Sequence, residues 1–289
     1  GQGMSTHLAH VAMSKWFSRY RGRALAIANL GYSLGESFLP MFFVGFLLVL
    51  PWRSIWLFSS VFPVVVAVAI FFTLKDERSP KFFKEDKLAF GIGLRHWSRS
   101  DVLKSSIFWY AFPGLLGLPA FGTVLFFQQV NFANLKGWDH LSMVKTYPFF
   151  TIVAVGISFL SGSLIDRYSA IKLIGFYQIP AILGFYIFSV CETLVGFSIG
   201  LIFFSITAGS NNIIPTAFWA ECFGTASIGK IKALAAAVMV VGSALGPLIS
   251  GFLIDWNFNL NLQYNLFASY FVFSTILLIL ATRKALAPV

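Results

Sequence analysis

Long apolar runs separated by short polar turns set the pattern of this chain. A helix needs about 20 mostly apolar residues to cross a bilayer. Nine such runs can be marked, at roughly 1–17, 24–50, 54–74, 105–130, 142–164, 170–190, 194–219, 232–254 and 264–282. The spacing predicts an all-α polytopic membrane protein. The turns between the runs carry its sidedness. Lys and Arg gather in alternate turns, eighteen on one side against three (Arg53, Lys136 and Lys145) on the other. Cytoplasmic loops carry the Lys and Arg excess, so residue 1 is expected outside and the C-terminus in the cytoplasm. One wrong span would scramble this alternation. The long polar stretch 75–104 reads as a central cytoplasmic loop. Its Phe82, Phe83 and Trp97, with basic neighbours, fit either a segment lying on anionic lipid or a solvated linker.

Composition agrees with the pattern. The chain is 57% hydrophobic and 11% charged, where soluble domains carry about 25% charged residues. The mean hydropathy is +0.79. The net charge of +10 is distributed between apolar runs, so it serves topology and does not form a nucleic-acid face. Two cysteines, Cys191 and Cys222, are expected on opposite sides of the membrane and make neither a disulfide nor a metal framework. No metal and no cofactor are expected. The chain opens on Gly within an apolar run, which gives the expectation of an N-terminally truncated fragment.

One stretch has a second copy. Gly22–Pro40 starts at a basic knot (Arg19, Arg21, Arg23), runs through Ala24-Leu25-Ala26, and reaches Gly31, Gly35, Glu36 and Pro40. Gly229–Pro247 starts at Gly-Lys, runs through Ala233-Leu234-Ala235, and reaches Gly242, Gly246 and Pro247. Small residues four apart share a helix face and let a neighbouring helix approach. Two spans with one orientation and one grammar suggest a parallel internal repeat, a transporter plan.

These residues, taken in order, resemble the major facilitator superfamily. Trp16-Phe17, Arg21-Gly22-Arg23-Ala24, Gly31, Gly35, Pro40 and Trp52-Arg53 are similar to its fourth to sixth helices. Gly162-Ser163-Leu164-Ile165-Asp166-Arg167 resembles its Gly-x-x-x-Asp-Arg loop. Phe223-Gly224, Gly229, Gly242, Gly246-Pro247, Gly251 and Asp255 resemble its helix eleven and the loop before it. The usual Gly and dense basic cluster after Asp-Arg are missing. The match runs from family helix four to twelve. It implies a two-bundle fold, with 1–74 a partial N-terminal bundle, 75–104 the central loop and 105–289 a six-helix C-terminal bundle. It implies a secondary transporter of a small molecule working by alternating access in the cell membrane. The Trp-Phe and Arg-Gly-Arg-Ala runs are most similar to monocarboxylate and oxalate–formate carriers, hence an organic anion.

Candidate residues follow. Glu36 is a carboxylate deep in an apolar run, with Asn29, Tyr32 and Ser33 within helical reach. Such a group is costly unless paired, protonated or facing water. It reads as a proton-coupling or substrate contact, or as a structural bond. His7 and His10 share a face and titrate near neutrality; they fit a carboxylate, a proton step or Glu36, or lie in water. Asn211 and Asn212 are mid-run amides between Gly209 and Pro215, where irregular backbone needs cover. They read as a substrate contact or an interhelical bond. Gln128 and Gln129 end a helix bent by Pro113, Gly114, Gly117 and Pro119, as gate residues or a wet helix end. Asp166, Arg167, Glu221, Lys230 and Lys232 fit inner-gate ion pairs. Gly31, Gly35, Pro40, Gly242, Gly246 and Pro247 fit helix packing. Trp52, Trp56, Trp109, Trp138 and Trp219 fit interfacial belts. Protons are the expected coupling ion and a monomer the expected state. The rival is a transporter-like sensor that binds without moving solute. No polar catalytic set is seen for an enzyme, and no repeated filter for a channel.

Overall fold

A computed structural model describes residues 51–73 and 90–287, with isolated positions between Met13 and Leu50. No strand occurs among them. Among the described residues, six helices are long and apolar enough to cross a membrane: Trp52–Ala69, Ser106–Phe127, Ser142–Tyr168, Leu194–Phe223, Ile228–Asp255 and Leu260–Leu286. Ile179–Val190 is apolar but shorter. The expected runs 1–17 and most of 24–50 lie outside the described residues.

The chain gathers into two compact units, Gly1–Ser33 with Ala89–Val289, and Leu34–Leu88. The smaller contributes α1 (Trp52–Thr73), whose apolar side chains are exposed along nearly its whole length. The larger holds α2 (Arg99–Lys104), α3 (Ser106–Phe127), α4 (Gln129–Lys136), α5 (His140–Val144), α6 (Tyr147–Tyr168), α7 (Ala170–Leu173), α8 (Ile179–Val190), α9 (Leu194–Asn211), α10 (Ile214–Phe223), α11 (Ile228–Asp255) and α12 (Leu260–Leu286). Its long helices pack as a chain of neighbours: α11 on α3, α3 on α12, α12 on α8, α8 on α9, and α9 on α6.

Glycine sets the close approaches. A Cβ on Gly242 would meet the Leu116 carbonyl at 2.9 Å, and one on Gly246 would collide with the Ala120 carbonyl. Gly209 approaches Ala154 in the same way, and Gly184 approaches Gly200. Lipid tails give helices no hydrophobic reason to associate, so such backbone contact carries the assembly. Two apolar clusters fill the larger unit. One, around Phe108, Phe218, Trp219 and Phe223, lies where α3 begins. The other, around Phe132, Phe185, Phe197, Tyr264 and Phe271, lies where α3 ends.

Four expected runs are not single helices; the run 142–164 is interrupted at Lys145–Thr146, between α5 and α6. The run 170–190 divides into α7, a string of turns and α8. Pro180 opens α8, and its ring would clash with the carbonyl four residues back in an unbroken helix. The run 194–219 breaks at Asn212–Ile213, ahead of Pro215. The run 105–130 stops at Phe127. Gln128 leaves helical geometry, and α4 continues with Phe132 and Ala133 fully buried. Trp219 is corrected from a belt position to the core. It is 2% exposed and its ring stacks on Phe223 at 5.7 Å.

The segment before α3 is docked on the larger unit. Trp97 is buried against Phe223 at 5.0 Å and donates its indole N–H to the Ile92 carbonyl at 3.1 Å. It is therefore a core residue and does not lie in the membrane interface. Gly91 touches the Cys222–Phe223 backbone. Ser98 caps α2 in a reciprocal box with Asp101. The Ser98 hydroxyl, then its amide, hold the Asp101 carboxyl below its ordinary 3.8. A depressed carboxyl stabilises above its ordinary pKa, and this is lost as pH falls through the folded value. Ser98→Ala is expected to cost about 1 kcal/mol near neutrality. The deficit in thermal melts should shrink below pH 3.8. An equal deficit at pH 7 and pH 3 would remove the carboxylate from the cap.

Candidate functional site

A polar seam crosses the middle of the larger unit, built from the two helix breaks. Gln178, fully buried in the turn before α8, donates through Nε2 to the Gly114 carbonyl at 2.7 Å and to the Tyr177 hydroxyl at 2.9 Å. Its Oε1 accepts from Ser274 at 2.7 Å. Tyr177 donates on to Asn211 Oδ1 at 3.4 Å. Thr207 donates to the Tyr177 carbonyl at 3.1 Å and accepts from the Ala181 amide at 3.0 Å. The turn of one broken helix is thus tied to the broken end of another, so the irregular backbone is covered. The seam continues to α6, where Ser158 donates to the Gly209 carbonyl at 2.8 Å and Ser161 and Ser210 share a bond at 2.8 Å. Asn212 is half-buried beside it. Asn211 was readable from the sequence. Gln178, Tyr177 and Ser274 were missed, although an amide just ahead of Pro180 inside an apolar run carries the same signal.

Lys232 is the unbalanced group. The buried positions of α11 are Ile228, Ile231, Lys232, Ala235, Val238, Gly242, Gly246 and Ser250. These follow the three-and-four spacing of one helix face, and Lys232 lies on it. It is 8% exposed, and its Nζ has no hydrogen-bond partner among the described residues. Its side chain does not reach solvent, as a long cationic side chain ordinarily would. It also sits near the positive end of the α11 dipole, which repels a cation.

Polar clamps close both ends of the larger unit. At the end where α3 begins, Glu221 accepts from the Ser169 hydroxyl at 2.5 Å and from the Ala170 and Ile171 amides at 3.0 and 3.1 Å. It therefore meets the 169–171 turn, not Lys230 or Lys232 as expected. Four amides at a helix start lack partners, and a carboxylate is their natural acceptor. Asp166 pairs with Arg23 at 3.9 Å, while the Arg167 guanidinium lies 5.2 Å from the Tyr168 ring. At the other end, Gln129 accepts from Tyr147 at 2.6 Å, and Gln128 accepts from Asn131 at 2.6 Å. Lys136 binds Glu192 at 2.7 Å. Cys191 lies below that pair, and burial pushes its thiol up to about 11. It stays protonated and unreactive at neutral pH.

The remaining candidates divide simply. Gly242 and Gly246 face α3 at the crossing already described, and Pro247 continues within α11. A Cβ on Gly31 would meet nothing within 4 Å, and one on Gly35 would meet only Leu39 at 3.7 Å. Glu36, His7, His10, Tyr32 and Pro40 lie outside the described residues.

A family model described as Major Facilitator Superfamily matches residues 1–247. No curated protein sequence matches the chain. Among solved structures, the crystal structure of the human organic anion transporter MFSD10 (TETRAN) matches with a TM-score of 0.72 at 16% identity. The match covers 94% of this chain and 67% of that one.

Proposed function

Because the chain belongs to the major facilitator superfamily, a family of membrane transporters, we propose that it is a secondary active carrier of a small organic anion working by alternating access. The observation that carries the anion is Lys232. A buried ammonium without a partner costs several kcal/mol in any low-dielectric site, and an anionic substrate removes that cost while it is bound. The described residues supply no carboxylate to do so permanently. Lys232 is therefore assigned to the substrate and not to a gate. The resemblance to a structure titled as an organic anion transporter points the same way.

The other assignments follow. Asn211 and Asn212, braced by Tyr177 and Gln178, offer neutral donors and acceptors that orient the substrate. Arg23–Asp166 and the Glu221 clamp serve the cytoplasmic gate, with Arg167 and Lys230 beside them. Exposed pairs of this kind are worth about 0–1 kcal/mol, which suits contacts broken in each cycle. Gln128, Gln129 and Lys136–Glu192 serve the outer gate. Glu36, with His7, His10 and Tyr32, is the proton-coupling group. Residues 1–74 form part of an N-terminal bundle, 75–104 the central loop and 105–289 the C-terminal bundle. The protein works as a monomer in the cell membrane with its C-terminus in the cytoplasm.

The test is uptake of radiolabelled small organic anions and size-matched neutral solutes by the full reading frame in proteoliposomes, with and without an inward proton gradient. Saturable uptake of anions alone, raised by the gradient, is expected. Uptake of the neutral solutes alone would overturn the anion reading. Binding without counterflow would turn the reading to a sensor.

A further inference from the structure

The segment leading into α3 has an outward surface that the transport reading does not use. Its inner side is fixed, through Trp97 and Gly91, to the end of α10. Its outer side carries Leu94, which is 84% exposed and held at a positive φ of 53°. A leucine in the left-handed region is uncommon and strained. Here that strain turns an apolar side chain outward. Arg95 lies with its guanidinium 3.7 Å from the Trp97 ring, which fixes its direction. Arg99 and Lys104 are exposed on and at the end of α2. Trp109 follows, 54% exposed in the first turns of a membrane span, its indole N–H donated to the Leu103 carbonyl at 2.8 Å. Trp109 marks the level where headgroups meet acyl chains. Lys104, two residues ahead of the span, is at headgroup depth. The only acid in this stretch, Asp101, accepts from the Ser98 hydroxyl at 2.7 Å and leaves the three cations in a net excess of two.

We propose that Leu94, Arg95, Arg99, Lys104 and Trp109 form a preformed docking surface for anionic phospholipid headgroups of the adjoining leaflet. Three cations supply the headgroup contact and two apolar side chains supply the acyl boundary. Clusters of cations beside a span attract anionic lipid in this way, and exposed apolar side chains among them convert attraction into seating. The inner side of the segment is already packed on the end of α10, so little ordering is required when lipid binds.

Native mass spectrometry of the full chain in detergent tests this, using phosphatidylglycerol and phosphatidylcholine with identical acyl chains. The wild type is expected to retain phosphatidylglycerol about tenfold or more over phosphatidylcholine. The Arg95→Ala, Arg99→Ala, Lys104→Ala variant should fall to near parity. A charge-matched control, Lys172→Ala, Lys230→Ala, Arg283→Ala, should keep the preference. Leu94→Gly should weaken retention while thermal stability does not fall, because glycine accepts the positive φ. Inorganic phosphate should fail to displace the lipid. Equal loss in the control, retention in the triple variant, or displacement by phosphate would each overturn the proposal.

Discussion

Lys232→Gln is expected to lower initial uptake of the transported anion about 30-fold or more. Removing one partner of a buried charge contact costs 2 kcal/mol or more, and each 1.4 kcal/mol is about tenfold. The same change should raise the melting temperature of the substrate-free protein. It removes a buried ammonium that has no partner among the described residues and replaces it with a neutral amide of similar reach. A lysine with a structural task would behave differently, since its loss would lower stability and uptake together. Lys232→Arg keeps the charge and should retain part of the transport. Parallel measurement of uptake and unfolding by scanning fluorimetry separates the cases. Undiminished uptake in Lys232→Gln would free the residue from the substrate.

Gly246→Leu is expected to be the most damaging single change in the helix packing. Even one added carbon collides with the Ala120 carbonyl, which is backbone of α3 and cannot swing aside as a side chain would. Four carbons would push α11 off α3. Overpacking of this kind costs about 1–3 kcal/mol and more where nothing can move. In lipid there is no hydrophobic force to draw the helices back. Gly251→Leu on the same helix is the control, because a Cβ there meets nothing within 4 Å. Size-exclusion profiles and melting temperatures should show Gly246→Leu aggregated or strongly destabilised and Gly251→Leu close to wild type. Equal behaviour of the two would mean that α11 and α3 are not held by backbone contact.

Six of the nine expected spans were legible among the described residues, because apolar length is the constraint a bilayer imposes most strongly. Which side of a span faces protein was not. Trp219 ends an apolar run and Trp97 lies in the polar stretch 75–104, both places where tryptophan suits an interface, yet both are core residues. A helix apolar all round gives no direction to its side chains. The break at Asn212–Ile213 was partly visible in the glycine and proline around it. The turns at 174–178 were not, although Pro180 carried the same warning. Most of α4 was read as a loop, because its polar residues hid the buried Phe132, whereas Met143 of α5 already lay inside the expected run 142–164. Glu221 was read by its charge, whereas its contacts are the bare amides of a turn fifty residues earlier. The Tyr177–Asn211 bond joins residues 34 apart, a pairing that no local pattern encodes. Of the family's own signature residues, Asp166 meets Arg23 and Arg167 the Tyr168 ring, and neither partner was named from the sequence.

The order in which the long helices touch has a consequence for synthesis. α3 leaves the ribosome well before its two main neighbours, α11 and α12, which lie more than a hundred residues further on. At about 5–20 residues per second, α3 waits on the order of ten seconds for them. During that interval the face around Gly114 and Gly117, shaped to receive Leu278 and Tyr270, is open to lipid or to other nascent chains. α6, α8 and α9 meet one another sooner, so they can assemble while α3 still lacks its two main neighbours. The newborn protein therefore passes through a stage with one orphan helix, and its yield in cells depends on how well the insertion machinery shelters that helix.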